Sequence, residues 1–248
     1  MHQGAPAEPV LAAWGIDTDG KPVFAGLAPA SSESTDAWDD FLGDLVARGL
    51  RAPLLGISDR APGLCGAFDR TFRTSLRQRC LVHRARNVIA KVSKHDQDEV
   101  KADFWAIFDV GDAEPGDAAI AIANRQAAEF AAKWKTRYPA AVDCVTDDLT
   151  SLTVHLRFPA EHWKRIRHSN FIERTFGETR RRVKVIGRLP GENSCLSLVW
   201  AVLDRASRGW RGLTMTPKAL RLLQDLRRQL LHPPMAEEVI IEPVTAAA

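Results

Sequence analysis

Two short apolar stretches near the start of the chain, Pro9–Ile16 (PVLAAWGI) and Pro22–Leu27 (PVFAGL), read as strands. Between them Asp17-Thr18-Asp19-Gly20-Lys21 contains the Asp-Gly pair favoured in tight turns, so an antiparallel hairpin is predicted. A helical spacing follows. Trp38, Phe41, Leu42 and Leu45 are spaced as one stripe of a helix, with capping residues over Ser31–Thr35 and Gly49 just past an end near Arg48. Ala52–Ser58 (APLLGIS) is a short apolar run of the kind that forms a strand buried on both faces, and it ends at Asp59. A turn over Arg60-Ala61-Pro62-Gly63 leads into a helix to about Phe72. Cys80-Leu81-Val82 is expected to form a short strand and Arg84–Val92 a further helix, giving an alternating βαβα order.

From Gln97 to about Tyr138 the composition is helical, with Phe104, Trp105, Phe108, Phe130 and Trp134 available for packing and a break over Gly111–Gly116. A later helix is expected from near Ser169 to about Val185. A Gly/Pro-containing loop (GRLPGEN) follows, then helices over Leu196–Ser207 and Pro217–Leu230, and a Pro/Ala-rich tail from His232 onward for which disorder is expected. The organisation read from this pattern is an α/β part over residues 9–96, a mainly helical insertion over 97–160, C-terminal helices over 161–231 and the tail over 232–248.

The net charge of +3 over 248 residues conceals an uneven distribution. Arg70–Lys94 holds eight Lys/Arg and no Asp/Glu, and His155–Pro190 holds ten basic and three acidic residues, so a polyanion would meet these segments first, unless they are solvated helix faces. No run approaches the roughly 18 to 20 apolar residues of a membrane span, and MHQGAPAEPV lacks the features of a signal peptide, so a cytoplasmic protein without membrane contacts is expected. The four cysteines, Cys65, Cys80, Cys144 and Cys195, are scattered without CxxC pairs, and reduced thiols are expected.

Two acids stand out by position. Asp59 closes a predicted buried strand, where open α/β sheets place their sites, although Asp-x-Pro-Gly is also plain turn chemistry. Glu173 follows Asn170 by three residues, which also fits a reciprocal helix cap. Glu178 is a weaker candidate, about 140° around the helix from Glu173. Cys80 and His83 form a C-x-x-H pair, two ligands where zinc usually takes four, so a structural or DNA-positioning role is expected. Trp163, Trp200 and Trp210 have the chemistry to stack on unpaired bases, with core packing the favoured reading for each.

Four stretches taken together, EPVLAAWGIDTDGKPV, the Ser58–Leu64 block with SD-x-APGL, QRCLVHRARNV and HWKRIRHSNFIERTFGETRRRVKVIGRLPG, resemble the mutator-type insertion-sequence transposases from Pro9 to about Met215. The resemblance implies a ribonuclease H-like core with a helical insertion and a triad of two aspartates and a glutamate that binds Mg²⁺ or Mn²⁺. Asp59 matches the second aspartate and Glu173 the glutamate. It also implies DNA as partner, both element ends and target, and a homo-oligomeric assembly. Arg180, Arg181, Arg182, Lys184 and Arg188 are the expected phosphate contacts. Members of that family have a first strand ending in the first aspartate. The chain starts just before the second strand, and Glu8, Asp17 and Asp19 do not match that residue. In a sheet of order 3-2-1-4-5 the first strand is central, so a split sheet and an inactive fragment are expected. Arg60, where the family usually has glycine, offers a cation that competes with metal for Asp59. The alternative is a non-catalytic DNA-binding or dimerising protein that modulates a full-length transposase.

Overall fold

The computed structural model describes residues 9–59, 61–169, 176–177, 181 and 192–232. Strands β1 (Val10–Ile16) and β2 (Pro22–Pro29) pair antiparallel from Val10 opposite Pro29 to Ile16 opposite Pro22, with a bulge between Ala13 and Trp14. The turn forms because Asp17 Oδ1 accepts hydrogen bonds from the N–H groups of Asp19 (3.0 Å) and Lys21 (2.8 Å), while Gly20 takes φ of 83°. That tip is docked. Leu213 N–H donates to Gly20 O at 2.8 Å, and a Cβ on Gly20 would lie 2.2 Å from Leu213 O. Helix α1 (Thr35–Ala47) is capped by Ser34 Oγ, which accepts from Ala37 N–H. It buries Phe41, Leu42 and Leu45 against Leu11 of the hairpin and Phe68 of the next helix.

The second sheet is a β-α-β unit. Strand β3 (Leu55–Ser58), helix α2 (Pro62–Thr71) and strand β4 (Leu76–Arg79) follow one another, and the strands pair in parallel with Ser58 opposite Arg79. Phe68 of α2 covers β3 so closely that a Cβ on Gly56 would stand 2.4 Å from its ring. Leu55, Ile57 and Leu76 also pack with Phe158, Ile166 and Leu226, the last from the C-terminal helix.

Here the structure corrects the expected strand at Cys80-Leu81-Val82. The strand lies at Leu76–Arg79, Cys80 is the residue before helix α3 (Leu81–Ile89), and Leu81 and Val82 are helical. A polar segment, Leu-Arg-Gln-Arg, forms the strand because tertiary partners satisfy it. Gln78 is fully buried, its Nε2 donating to Arg79 O (2.7 Å) and Leu152 O (3.0 Å) and its Oε1 accepting from His155 N–H (2.8 Å). Arg79 pairs with Asp148 at 2.7 Å, both side chains largely buried. The expected strand over Ala52–Ser58 is also shorter, and its Leu55, Gly56 and Ile57 are half-buried.

The insertion comprises α4 (Gln97–Ala106), α5 (Asp117–Trp134), α6 (Pro139–Thr146), α7 (Leu149–Thr153) and two 3₁₀ turns, Val154–Arg157 and Ala160–His162. The predicted break lies between α4 and α5, where Gly111 and Gly116 have positive φ. Phe104, Phe130, Trp134 and Leu152 form a core with Leu81 and Val88 of α3. The short helix α8 (Trp163–Ile166) leads out of the insertion, and α9 (Glu192–Ser207) and α10 (Pro217–Leu231) follow. Among the described residues β1 pairs only with β2 and β3 only with β4, so the strands form two separate two-stranded sheets. The tail from Pro233 onward lies outside the described residues.

Candidate functional site

Asp59 follows the last residue of β3 and is exposed, while Ser58 before it is buried. Its Oδ1 accepts a hydrogen bond from Ala61 N–H at 3.1 Å, so the carboxylate does make the turn contact that its sequence context allows. That contact engages one oxygen of an exposed carboxylate and leaves metal ligation chemically open to it.

Beside this strand end the chain is tied together by Cys80. Its N–H donates to Ser58 O at 2.7 Å, and its Sγ accepts from Ser169 N–H at 3.3 Å. The next residue, Leu81, donates its N–H to Arg167 O at 2.9 Å. Residues Arg167–Ser169, which lead toward Glu173, are thereby held against the start of α3. Two further contacts fix that segment: Ile166 is buried, and the Arg167 guanidinium lies 4.9 Å from the centre of the Trp105 ring. Burial pulls the Arg167 pKa below the usual arginine value, against the opposing influence of Asp109.

Of the predicted residues, Asn170, Glu173, Arg180, Arg182, Lys184 and Arg188, together with Glu178 and Arg60, lie outside the described residues. Arg181 is exposed on helical backbone. His83 belongs to the first turn of α3, and not to a strand end, and is half-buried. Among the described residues no group of three or more His, Cys, Asp or Glu is placed to hold a metal ion. Cys80 is fully buried and accepts a backbone hydrogen bond.

The tryptophans divide. Trp163 donates from Nε1 to Phe158 O at 2.7 Å and packs on Leu156 and its neighbours, and the Trp210 ring lies tilted at 35° to that of Trp14 with 5.0 Å between their centres. Trp200, for which core packing was expected, is 51% exposed, because Val199, Val202 and Leu203 take the inward face of α9. It borders a cleft of about 580 Å³ lined also by β2, Arg48 and Asp204. Gln78, His155, Arg79 and Asp148 carry no signal in the sequence, because their roles depend on partners about 70 to 80 residues away.

The chain matches the model of the family described as "Transposase, Mutator family" over residues 3–212. It belongs to the mutator family of transposases. Among curated relatives, the transposase for insertion sequence element IST2 of Acidithiobacillus ferrooxidans is 33% identical over 219 residues, covering 86% of this chain and 70% of that protein. The transposase for IS6120 of Mycolicibacterium smegmatis is 35% identical, over 82% of this chain and 61% of its own length. That for ISRM5 of Rhizobium meliloti is 31% identical, over 82% and 50%. This mutator-family chain thus spans between half and seven-tenths of the length of these relatives. None of its described helices is long and apolar enough to cross a membrane.

Proposed function

We propose that this chain carries part of the catalytic core of a DNA transposase, in which Asp59 and Glu173 hold divalent metal and the basic residues Arg180, Arg181, Arg182, Lys184 and Arg188 lie along the DNA backbone. The observation that carries the reading is the double attachment of Cys80, to Ser58 on one side and to Ser169 on the other. Glu173 is four residues beyond Ser169, about 6 Å along a helix or about 14 Å of extended chain. A glutamate on so short a tether from the end of β3 is within reach of a site shared with Asp59. The donor chemistry fits Mg²⁺ or Mn²⁺, since both groups are hard oxygen ligands and Asp59 is exposed.

Such an ion, when bound, supplies stabilisation of the attacking and leaving oxygens of a phosphodiester. The chain's own part is to hold two carboxylates and to bring DNA there. Arginine and lysine side chains suit that task because they neutralise phosphates without reading sequence. The antiparallel pair β1–β2 and the parallel pair β3–β4 support a ribonuclease H-like sheet, being the pairings expected on either side of its first strand. Element ends and target DNA are the partners in this reading, and a homo-oligomer is the working assembly.

The test is cleavage or strand transfer on DNA carrying the element's ends, with Mg²⁺ or Mn²⁺, by the chain and by Asp59→Asn and Glu173→Gln. Metal-dependent activity abolished by both substitutions would place both carboxylates in the site and overturn the expectation of an inactive fragment, and activity surviving either one would remove that carboxylate from the site. The turn contact that Asp59 Oδ1 accepts from Ala61 N–H, which gives this residue a role without metal, favours a second reading, a DNA-binding or dimerising protein without catalysis. DNA binding with no metal-dependent activity in the unsubstituted chain would select it.

A further inference from the structure

We propose that Cys80 is a positioning residue that ties the strand end before Asp59 to the segment leading to Glu173, an inference that rests on reading those two carboxylates as metal ligands. Cys80 occupies the position before the first residue of α3, where Ser, Thr, Asp or Asn ordinarily turn a side-chain oxygen onto the helix's free N–H groups. Its side chain makes no such bond. The Sγ accepts instead from Ser169 N–H at 3.3 Å, reaching across 89 residues of sequence. The backbone of the same residue donates to Ser58 O at 2.7 Å, and Ser58 directly precedes Asp59. One residue therefore touches both chain segments that lead to the two acids.

The neighbouring bonds make the attachment stiff. Leu81 N–H, one of the unsatisfied donors of the α3 N-terminus, is taken by Arg167 O at 2.9 Å, so residues 167 and 169 are both bonded to residues 80 and 81. Cys80 and Leu81 are each fully buried, which excludes water from competing for these bonds. A buried thiol suits the place because sulfur is a large, soft acceptor that packs as an apolar group and carries less desolvation cost than a hydroxyl. Removing the acceptor leaves Ser169 N–H without its partner and frees the segment to shift. Loss of groups that orient metal ligands typically costs about 10- to 100-fold in affinity, so freeing Ser169, four residues before Glu173, should be read as weaker metal binding.

The experiment uses Mn²⁺ as probe on the whole chain, with binding read by electron paramagnetic resonance and amide exchange read in parallel, for Cys80→Val, Cys80→Ser, Asp59→Asn and Glu173→Gln. Asp59→Asn and Glu173→Gln are expected to abolish binding without changing exchange at Ser169. Cys80→Val is expected to weaken Mn²⁺ about tenfold, the range seen when groups that orient metal ligands are removed. It should also accelerate exchange at Ser169 while the β1–β2 amides stay protected. Cys80→Ser, which restores an acceptor, should recover both properties. Unchanged Mn²⁺ affinity or unchanged Ser169 exchange in Cys80→Val overturns the role, as does a Cys80→Ser variant no better than Cys80→Val. Should Cys80→Val lose protection throughout, Cys80→Ala makes the same comparison with a smaller side chain. Binding indifferent to both Asp59→Asn and Glu173→Gln overturns the metal reading and this role together, whereas binding lost in those two and intact in Cys80→Val overturns this role alone.

Discussion

His155 offers a direct test of how the insertion is fastened to β4. The residue is 1% exposed, and its Nδ1 lies 3.1 Å from Leu152 O and 3.2 Å from Gln78 Oε1, both acceptors, so the neutral ring carries its proton on Nδ1. Burial pushes the imidazole down from 6.5 to about 3, and the positive charge of Arg167 adds to the effect. In the unfolded chain the ring recovers its ordinary value. Between those two values the unfolded state holds the extra proton, so the stability contributed by a neutral His155 is complete above pH 6.5 and is lost as pH falls toward 3. The slope is about 1.4 kcal/mol per pH unit, which amounts to about 2 kcal/mol at pH 5. Urea unfolding followed by circular dichroism, on the native chain and on His155→Asn at pH 7.5, 6 and 5, isolates this contribution because the other titrating groups are common to both. The stability difference between them should shift by about 2 kcal/mol against the native chain from pH 7.5 to pH 5. A difference that stays constant with pH would refute the buried neutral histidine and the fastening argued from it.

Asp148→Ala should cost about 3 to 5 kcal/mol in urea unfolding, because it strands the largely buried Arg79 without its counter-charge, and the double variant Arg79→Met/Asp148→Leu should recover most of that loss. Gly56→Ala forces a Cβ against the Phe68 ring and should lower stability by about 1 to 3 kcal/mol in thermal melts, with Phe68→Leu relieving part of the strain. Gly20→Ala meets both a positive φ and Leu213 O, so it should cost at least about 1 to 2 kcal/mol and alter the fluorescence of the Trp14–Trp210 pair as the hairpin tip lifts. DNA binding should fall steeply with salt and disappear when Arg180, Arg181 and Arg182 are changed to Glu; unchanged affinity in a filter-binding titration would return these arginines to a solvated face.

Much of the secondary structure was legible in the pattern because local rules decide it. The Asp-Gly turn fixes the hairpin, Ser34 and the Trp38–Leu45 stripe fix α1, and Gly111 to Gly116 fix the break between α4 and α5. The family was legible too, since its motifs are runs of consecutive residues. The β4 strand was not, because nothing local makes Leu-Arg-Gln-Arg extended. It is held by pairing with β3 and by Leu152, His155 and Asp148, which are distant in sequence. Trp200 was misjudged for a related reason: a helix stripe shows which residues share a face, and only packing decides which face turns inward.

The sequence by itself determined Asp59 and Glu173 as candidates and the C-x-x-H pair as a motif with no more than a structural or DNA-positioning role. Tertiary structure alone decided that the cysteine of that pair stands between the segments leading to the two acids. A thiol's acceptor bond to an amide 89 residues away leaves no local periodicity, cap or turn signal, and it exists only once both strands and the exit from the insertion have converged.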